Sequence, residues 1–285
     1  MNLKHRYSAQ HRGANLPIIA VVAVVAIVSF SYRADAAVTI SSAATSNMTC
    51  SGGVCAPTSK SAVLNVGDLE TLLASGNIEV TTKGSGVQAK NIVDKAALSW
   101  STSSVLALDA HVSITIGQPV SVTGSGGLTL TTNDGGKRGI LSFGPKGNVT
   151  FANLSSKLTI NGASYKLINT VRGLAKAVAK NPTANFALAK SFDASGDGTY
   201  TAAPVQTTLN GSFEGLGNTI SNLTIFDLSA ADYVGLFAQA NCGACNQGIS
   251  IADLGMVNVN INAPKNGQNV GGLAGGWRGL WSGTM

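Results

Sequence analysis

The stretch Asp193-Ala-Ser-Gly-Asp-Gly198 copies the opening of a calcium loop, D-x-S-x-D-G. Oxygen ligands at its first, third and fifth positions suit a hard cation, and the glycine that follows allows a sharp turn. The twelfth position, where such a loop needs a bidentate glutamate, is Pro204. A complete EF-hand is therefore excluded. What survives is a reduced candidate of Asp193, Ser195 and Asp197, in competition with a plain Asx turn. Asp109 and His111 lie two residues apart and would share one face of a strand. No activated serine accompanies them, so they read as an outward polar pair rather than part of a triad.

The cysteines fall into two close pairs, Cys50 with Cys55 and Cys242 with Cys245. In an exported chain, such pairs read first as small disulfide loops. A four-cysteine zinc site would need them to meet across the chain. A redox role for Cys242-Gly-Ala-Cys245 would need a strand-to-helix setting that the flanking sequence lacks. The sequence implies no cofactor. The acids are scattered singly, and only Asp193/Asp197 and Asp227/Asp232 come close in sequence. A polysaccharide lyase or hydrolase would need carboxylates to converge on one groove, which only folding over long separations could arrange.

These residues sit in a chain whose first segment reads as an export signal. Lys4, Arg6 and Arg12 precede an apolar run from Leu16 to Phe30, and Ala34-Asp35-Ala36 supplies small residues for cleavage after Ala36. The run is shorter than the roughly 20 residues a spanning helix needs, although an uncleaved anchor is the alternative. Removing residues 1–36 leaves 15 basic against 12 acidic side chains, net +3 where the whole chain carries +6. The basic balance thus belongs largely to the signal, and nucleic acid is not an expected partner.

Charged residues make up 11% of the chain, against roughly 25% in ordinary soluble domains. At 44% hydrophobic content it is still not a disordered composition. Residues 37–63 read as a small, polar leader with a pinned loop. From Leu64 a train of short alternating segments begins: 77–82, 105–110, 112–117, 120–124, 128–132, 148–152 and 157–162. Gly, Asn and Ser clusters separate them, as in a sandwich, barrel or solenoid. Asn-Gly or Asp-Gly hairpin turns could fall at 133–136, 161–162 and 210–211. The wealth of Val and Thr with few large aromatics favours stacking of one strand over the next. One segment departs from the pattern. Over 169–182, Val171, Leu174, Ala175 and Val178 share a helical face and Arg172, Lys176 and Lys180 the opposite one. Asn169 or Thr170 would cap this helix and Pro182 would stop it.

The last third repeats itself. Val234-Gly235-Leu236 and Val270-Gly271-Gly272-Leu273 stand 36 residues apart. Aligning Leu223 with Leu254 gives 31 residues instead, so the period reads as ragged, between 31 and 36. The glycines at 235, 271 and 272 would permit tight corners or positive φ.

The segments Tyr233–Ala238 and Asn269–Gly275 resemble the GLUG repeat of large bacterial surface proteins. The stretch 211–225 is similar to the segment that introduces those repeats. Residues 69–82, 106–116 and 126–132 resemble the body of filamentous haemagglutinin-like exoproteins. The resemblance spans roughly residues 60–275 and implies an all-β fold, a right-handed parallel β-helix with one amphipathic helix inserted near 170–180. It also implies a secreted or surface-held adhesin whose partner is a host-cell or extracellular glycan or protein surface, passed out by an outer-membrane secretion partner. The chain departs from that family in lacking an Asn-Pro-Asn motif near the mature N-terminus. The sequence closes on Val270–Met285 with Trp277 and Trp281 but no strand-length alternation after the last repeat. On this reading the open end self-associates through its edge, the two tryptophans serving at most as an apolar plug.

Overall fold

The structure is a computed structural model and describes residues 36–229, 232–241, 250–264 and 269–278. Residues 1–35 of the proposed signal peptide, Cys242, Cys245 and Trp281 lie outside these residues. Among the described residues no helix is long and apolar enough to cross a membrane.

The fold is all-β with mostly parallel sheets. Three successive passes of the chain each give one strand to three sheets in turn. The first pass is Asn91–Asp94, Leu98–Trp100 and Val105–Asp109; the second is Ile114–Ile116, Pro119–Val122 and Gly127–Thr131; the third is Leu141–Phe143, Asn148–Phe151 and Leu158–Ile160. Each pass pairs in parallel with the one before at offsets of 22 to 30 residues. The reason lies in the alternation. Ile78, Leu106, Leu128 and Leu158 form one inward row, and Val80, Leu108, Leu130 and Ile160 the next. A one-residue slip would turn every one of these side chains outward, so burial fixes the register. Outward positions carry hydroxyls that meet between passes, as Thr115 does with Ser142 and Thr150 with Ser121. Each of the seven segments that the sequence marks as strands overlaps one.

Residues 37–63 are not a leader. Ala37–Ser41 lies between Ala62–Asn65 and Asn91–Asp94 in the first sheet, because Val38 and Ile40 are apolar at alternate positions and bury completely. Met48–Ser51 and Val54–Pro57 make a hairpin in which Cys50 and Cys55 face each other and are disulfide-bonded.

There are two α-helices among the described residues, not one. The first, α1 (Val66–Ser75), stands where the sequence predicts the start of the strand train. Asn65 caps it by accepting from the Gly67 and Asp68 N–H groups, while Leu69 and Leu73 bury. It covers the edge of Leu98–Trp100: the Ser99 N–H donates to Glu70 and the Thr102 hydroxyl donates to the Leu73 carbonyl. The second, α2 (Val171–Lys180), falls where its periodicity places it, capped by Thr170 and ending before Pro182. Val171, Leu174, Ala177 and Val178 bury, with Ala175 only partly covered.

The chain turns over once in the middle. Asn161 and Gly162, at φ 49° and 78°, form a hairpin that sets Ala163–Ile168 antiparallel to Leu158–Ile160. Of the three hairpin candidates this one alone joins antiparallel strands among the described residues. The strands that follow, Asn185–Leu188 and Phe213–Glu214, are buried on both faces. Leu167, Ala187, Ala189 and Leu216 belong to the core built by residues 38–160; Ile168, Phe186, Leu188 and Phe213 belong to a second core reaching to Ala274.

From Asn185–Leu188 onward the parallel offsets between strands range from 25 to 38 residues, and three neighbouring pairs share one value. Thr219–Ser221, Thr224–Phe226 and Tyr233–Val234 pair in parallel with Gly255–Val257, Asn260–Asn262 and Asn269–Val270, each 36 residues on. Val234 therefore lies directly beside Val270. The 31-residue alignment of Leu223 with Leu254 is wrong. The Gly255 N–H donates to the Asn218 carbonyl and the Asn260 N–H to the Leu223 carbonyl, so Leu254 lies opposite Asn218 and Leu223 opposite Val259.

Candidate functional site

The calcium candidate is an Asx turn. Asp193 accepts from the Ser195 N–H at 2.9 Å and opens a single 3-10 turn, Ala194–Asp197. The Asn222 amide donates to the same oxygen at 2.9 Å, which holds the Asp193 carboxyl below its usual range, the Ser195 bonds adding to it. Asp197 faces elsewhere. It accepts from Tyr200 and pairs with Arg172 of α2 at 3.3 Å. Burial, then the bond to Asp197, pushes the Tyr200 hydroxyl far up. Asp193 and Asp197 are thus committed to different neighbours. Among the described residues no three His, Cys, Asp or Glu side chains gather as a metal site.

Asn222 also accepts from the Asn258 amide at 2.6 Å. Asp193, Asn222 and Asn258 form a column running across three passes, Asn222 and Asn258 both at positive φ. Asparagine tolerates that conformation better than most residues because its short side chain bonds locally.

Asp109 and His111 do not work together. His111 shares its Nδ1 with the Asp134 carbonyl at 2.8 Å. The Asp109 carboxyl is pushed up by burial, then by the charges of Asp134 and Glu79, with Lys83 opposing. One of its oxygens is buried without a partner. Folding thus collects three acids and a lysine that sequence spacing could not associate.

Two other carboxyls are internal. Asp94 occupies an inward position between Ile40 and Ile116, 1% exposed, and burial pushes it up to about 6 against the opposing N–H bonds from Gln118 and Ala96. Glu214 is 7% exposed on the face shared by Leu167 and Ala187. It accepts the Leu216 N–H at 3.0 Å. Burial, then the Asp253 carboxyl beside it, pushes Glu214 up to about 8. Asp253 is raised by burial and lowered by its bond from Glu214, so the shared proton sits on Glu214. Neither acid carries a sequence signal; only the pairing of Glu214 with Ala252 brings Asp253 alongside.

The repeat glycines serve close approach rather than special dihedrals. None of Gly235, Gly271 and Gly272 has a positive φ. A Cβ on Gly235 would stand 2.5 Å from the Gly271 carbonyl oxygen, and one on Gly271 would stand 2.2 Å from that of Ala274; Gly272 has open space. Leu236 is fully buried and Leu273 packs against the same core from a half-buried position.

Among the described residues, two of the grooves have room for a ligand. One, of about 530 Å3, runs over the outer face of the first sheet, past Thr39, Asn47, Asn91, Lys95, Ser113 and Thr115. The other, of about 590 Å3, lies between residues 202–206 and the repeat strands, lined by Ala202, Ala203, Gln206, Ser229, Asp232, Tyr233, Ala238 and Gln239. It adjoins the first GLUG-like segment. No protein-family model matches this chain, and no curated protein or solved structure is similar to it.

Proposed function

We propose that the chain is an adhesin-like exoprotein, held at the cell surface or secreted, that acts by binding rather than by catalysis. Its parallel sheets are read as a right-handed parallel β-helix of the filamentous haemagglutinin-like kind, ending in GLUG-like repeats. The observation that carries this reading is the 36-residue repetition in register, Tyr233–Val234 against Asn269–Val270, at the segments that resemble the repeat. Stacked passes make a long, stiff surface with graded outer rows, which suits extended contact with glycan or protein. Export by residues 1–36 and oxidation of Cys50 and Cys55 belong to the same reading, since disulfides persist outside the reducing cytoplasm. So do an outer-membrane secretion partner and self-association through the edge strands of the last repeat.

The test is retention of the purified chain on host cells or extracellular matrix. Saturable retention is expected; none above a scrambled control overturns the reading. A second reading, a polysaccharide lyase or hydrolase on the same scaffold, is favoured by the gathering of Glu79, Asp109 and Asp134 with Lys83. Depolymerisation of a polysaccharide that Asp109→Asn abolishes would establish it in place of the first.

A further inference from the structure

The groove beside the first repeat has a composition that selects a ligand class. Its floor is small: Ala203 is buried and Ala238 half-buried, and larger side chains at either would fill it. On one rim stands Tyr233, in register with Asn269. Gly276 seats it, since a Cβ there would come within 2.7 Å of the ring carbons. Gln206 stands exposed on the other rim. The Thr208 hydroxyl donates to Gln239 Oε1 at 3.2 Å, and the Gln239 amide nitrogen has no protein acceptor among the described residues. Asp232 is the one charged side chain lining the groove among the described residues.

We propose that this groove is a subsite for a neutral saccharide, with Tyr233 as its stacking platform and Gln206, Asp232 and Gln239 as hydrogen-bond partners. Sugars present hydroxyls at the edge and C–H groups on a face. An aromatic ring covers such a face, and amides and carboxylates match pairs of hydroxyls with donors and acceptors in fixed geometry. The volume lies within the roughly 300–1,000 Å3 of small-ligand sites, and a few convergent polar groups over an apolar floor are their usual lining. Among the described residues the groove holds no cation to offset a sugar carboxylate beside Asp232, which disfavours an acidic sugar. The backbone excludes a peptide added as a strand. The Val205 N–H donates to the Leu236 carbonyl and the Ala238 N–H to the Val205 carbonyl, so the strand edges along the groove are already paired.

The ligand class deepens the adhesin reading and rests on it for its biological use, though not for the binding itself. The test is saturation-transfer NMR on the full chain with cellobiose, lactose, maltose and mannobiose, and with digalacturonate as the acidic probe. At least one neutral disaccharide binds, and digalacturonate binds more weakly. Tyr233→Ala weakens the neutral sugar at least about tenfold, as loss of an aromatic anchor does. Gln206→Ala, exposed and harmless to folding, weakens it several-fold if circular dichroism is unchanged. Lys95→Gln, in the other groove, leaves it unaltered. Failure of every neutral probe, preference for digalacturonate, or undiminished binding in a folded Gln206→Ala overturns the subsite. Cell retention separates the two claims. Retention equal in wild type and Tyr233→Ala removes the subsite's part in adhesion and leaves the adhesin; sugar binding without retention leaves the subsite and removes the adhesin.

Discussion

Glu214 and Asp94 show how little a single residue letter says about its chemistry. Both are ordinary acids in sequence, yet each is enclosed by neighbours that arrive from other passes of the chain. Their folded pKa values, about 8 and about 6, lie above the ordinary 4.5 and 3.8. The folded state therefore holds protons that the unfolded chain releases, and stability falls as pH rises through each window. Asp94 contributes the decline between about 4 and 6 and Glu214 the decline up to about 8. Tyr165 and Asp253, the other titratable groups against Glu214, steepen this, because each gains a negative neighbour when it ionises. Thermal melts from pH 4 to 9 should show a wild-type Tm that drops across that range. Asp94→Asn should lessen the slope below about pH 6, where Glu214 still contributes, and leave the rest unchanged. Glu214→Gln, which keeps an acceptor for Leu216 and a donor for Asp253, should lessen the slope from about pH 4.5 upward and remove it between pH 6 and 8. A slope between pH 6 and 8 that survives Glu214→Gln would disprove the assignment.

At the scale of elements, what the sequence shows depends on whether the signal is local. Alternation over 128–132 or 157–162 is local, and so is the capped amphipathic pattern of α2, so both could be read. Val66–Ser75 misleads because it follows directly on a strand and its two buried leucines, Leu69 and Leu73, sit amid small polar residues. The repeat period misled for another reason. Matching leucine to leucine paired Leu223 with Leu254, whereas the structure matches asparagine to asparagine, Asn222 with Asn258. The segments Ile220–Ile225 and Met256–Ile261 share Asn and Ile at identical offsets, and that signal was present to be used. The column Asp193–Asn222–Asn258 predicts a two-part result. Asn222→Ala loses two amide bonds and strains a φ of 57°, costing about 2–3 kcal/mol. Asn222→Gly keeps the dihedral and loses only the bonds, so it should cost measurably less in chemical denaturation. Equal losses would mean that the column carries the whole effect and the dihedral none.

For the whole molecule the decisive feature is the turnover at Asn161–Gly162, which divides the stack into two cores that share one sheet. The Asn-Gly turn was visible in sequence, but that it inverts the stack was not, because both faces of Asn185–Leu188 are apolar and either could look inward. The two cores are tied by residues 214–218. Val149 donates its N–H to the Leu216 carbonyl, and Phe151 donates to Ala189, so the last strand of the first stack is closed by the second. Asn218, 1% exposed, completes the tie: its amide donates to the carbonyls of Val149, Leu188 and Gly215 at 2.8, 3.2 and 3.1 Å. Removing that amide strands buried carbonyls, each costing about 1–3 kcal/mol. The loss falls on the join rather than on either core. Calorimetry of the wild type should give one transition whose calorimetric and van't Hoff enthalpies agree, because each stack lends the other a wall. Asn218→Ala should lower the Tm and make the calorimetric enthalpy exceed the van't Hoff value, as the stacks begin to melt separately. Two transitions already present in the wild type would show that the cores are independent and that Asn218 only caps a local turn.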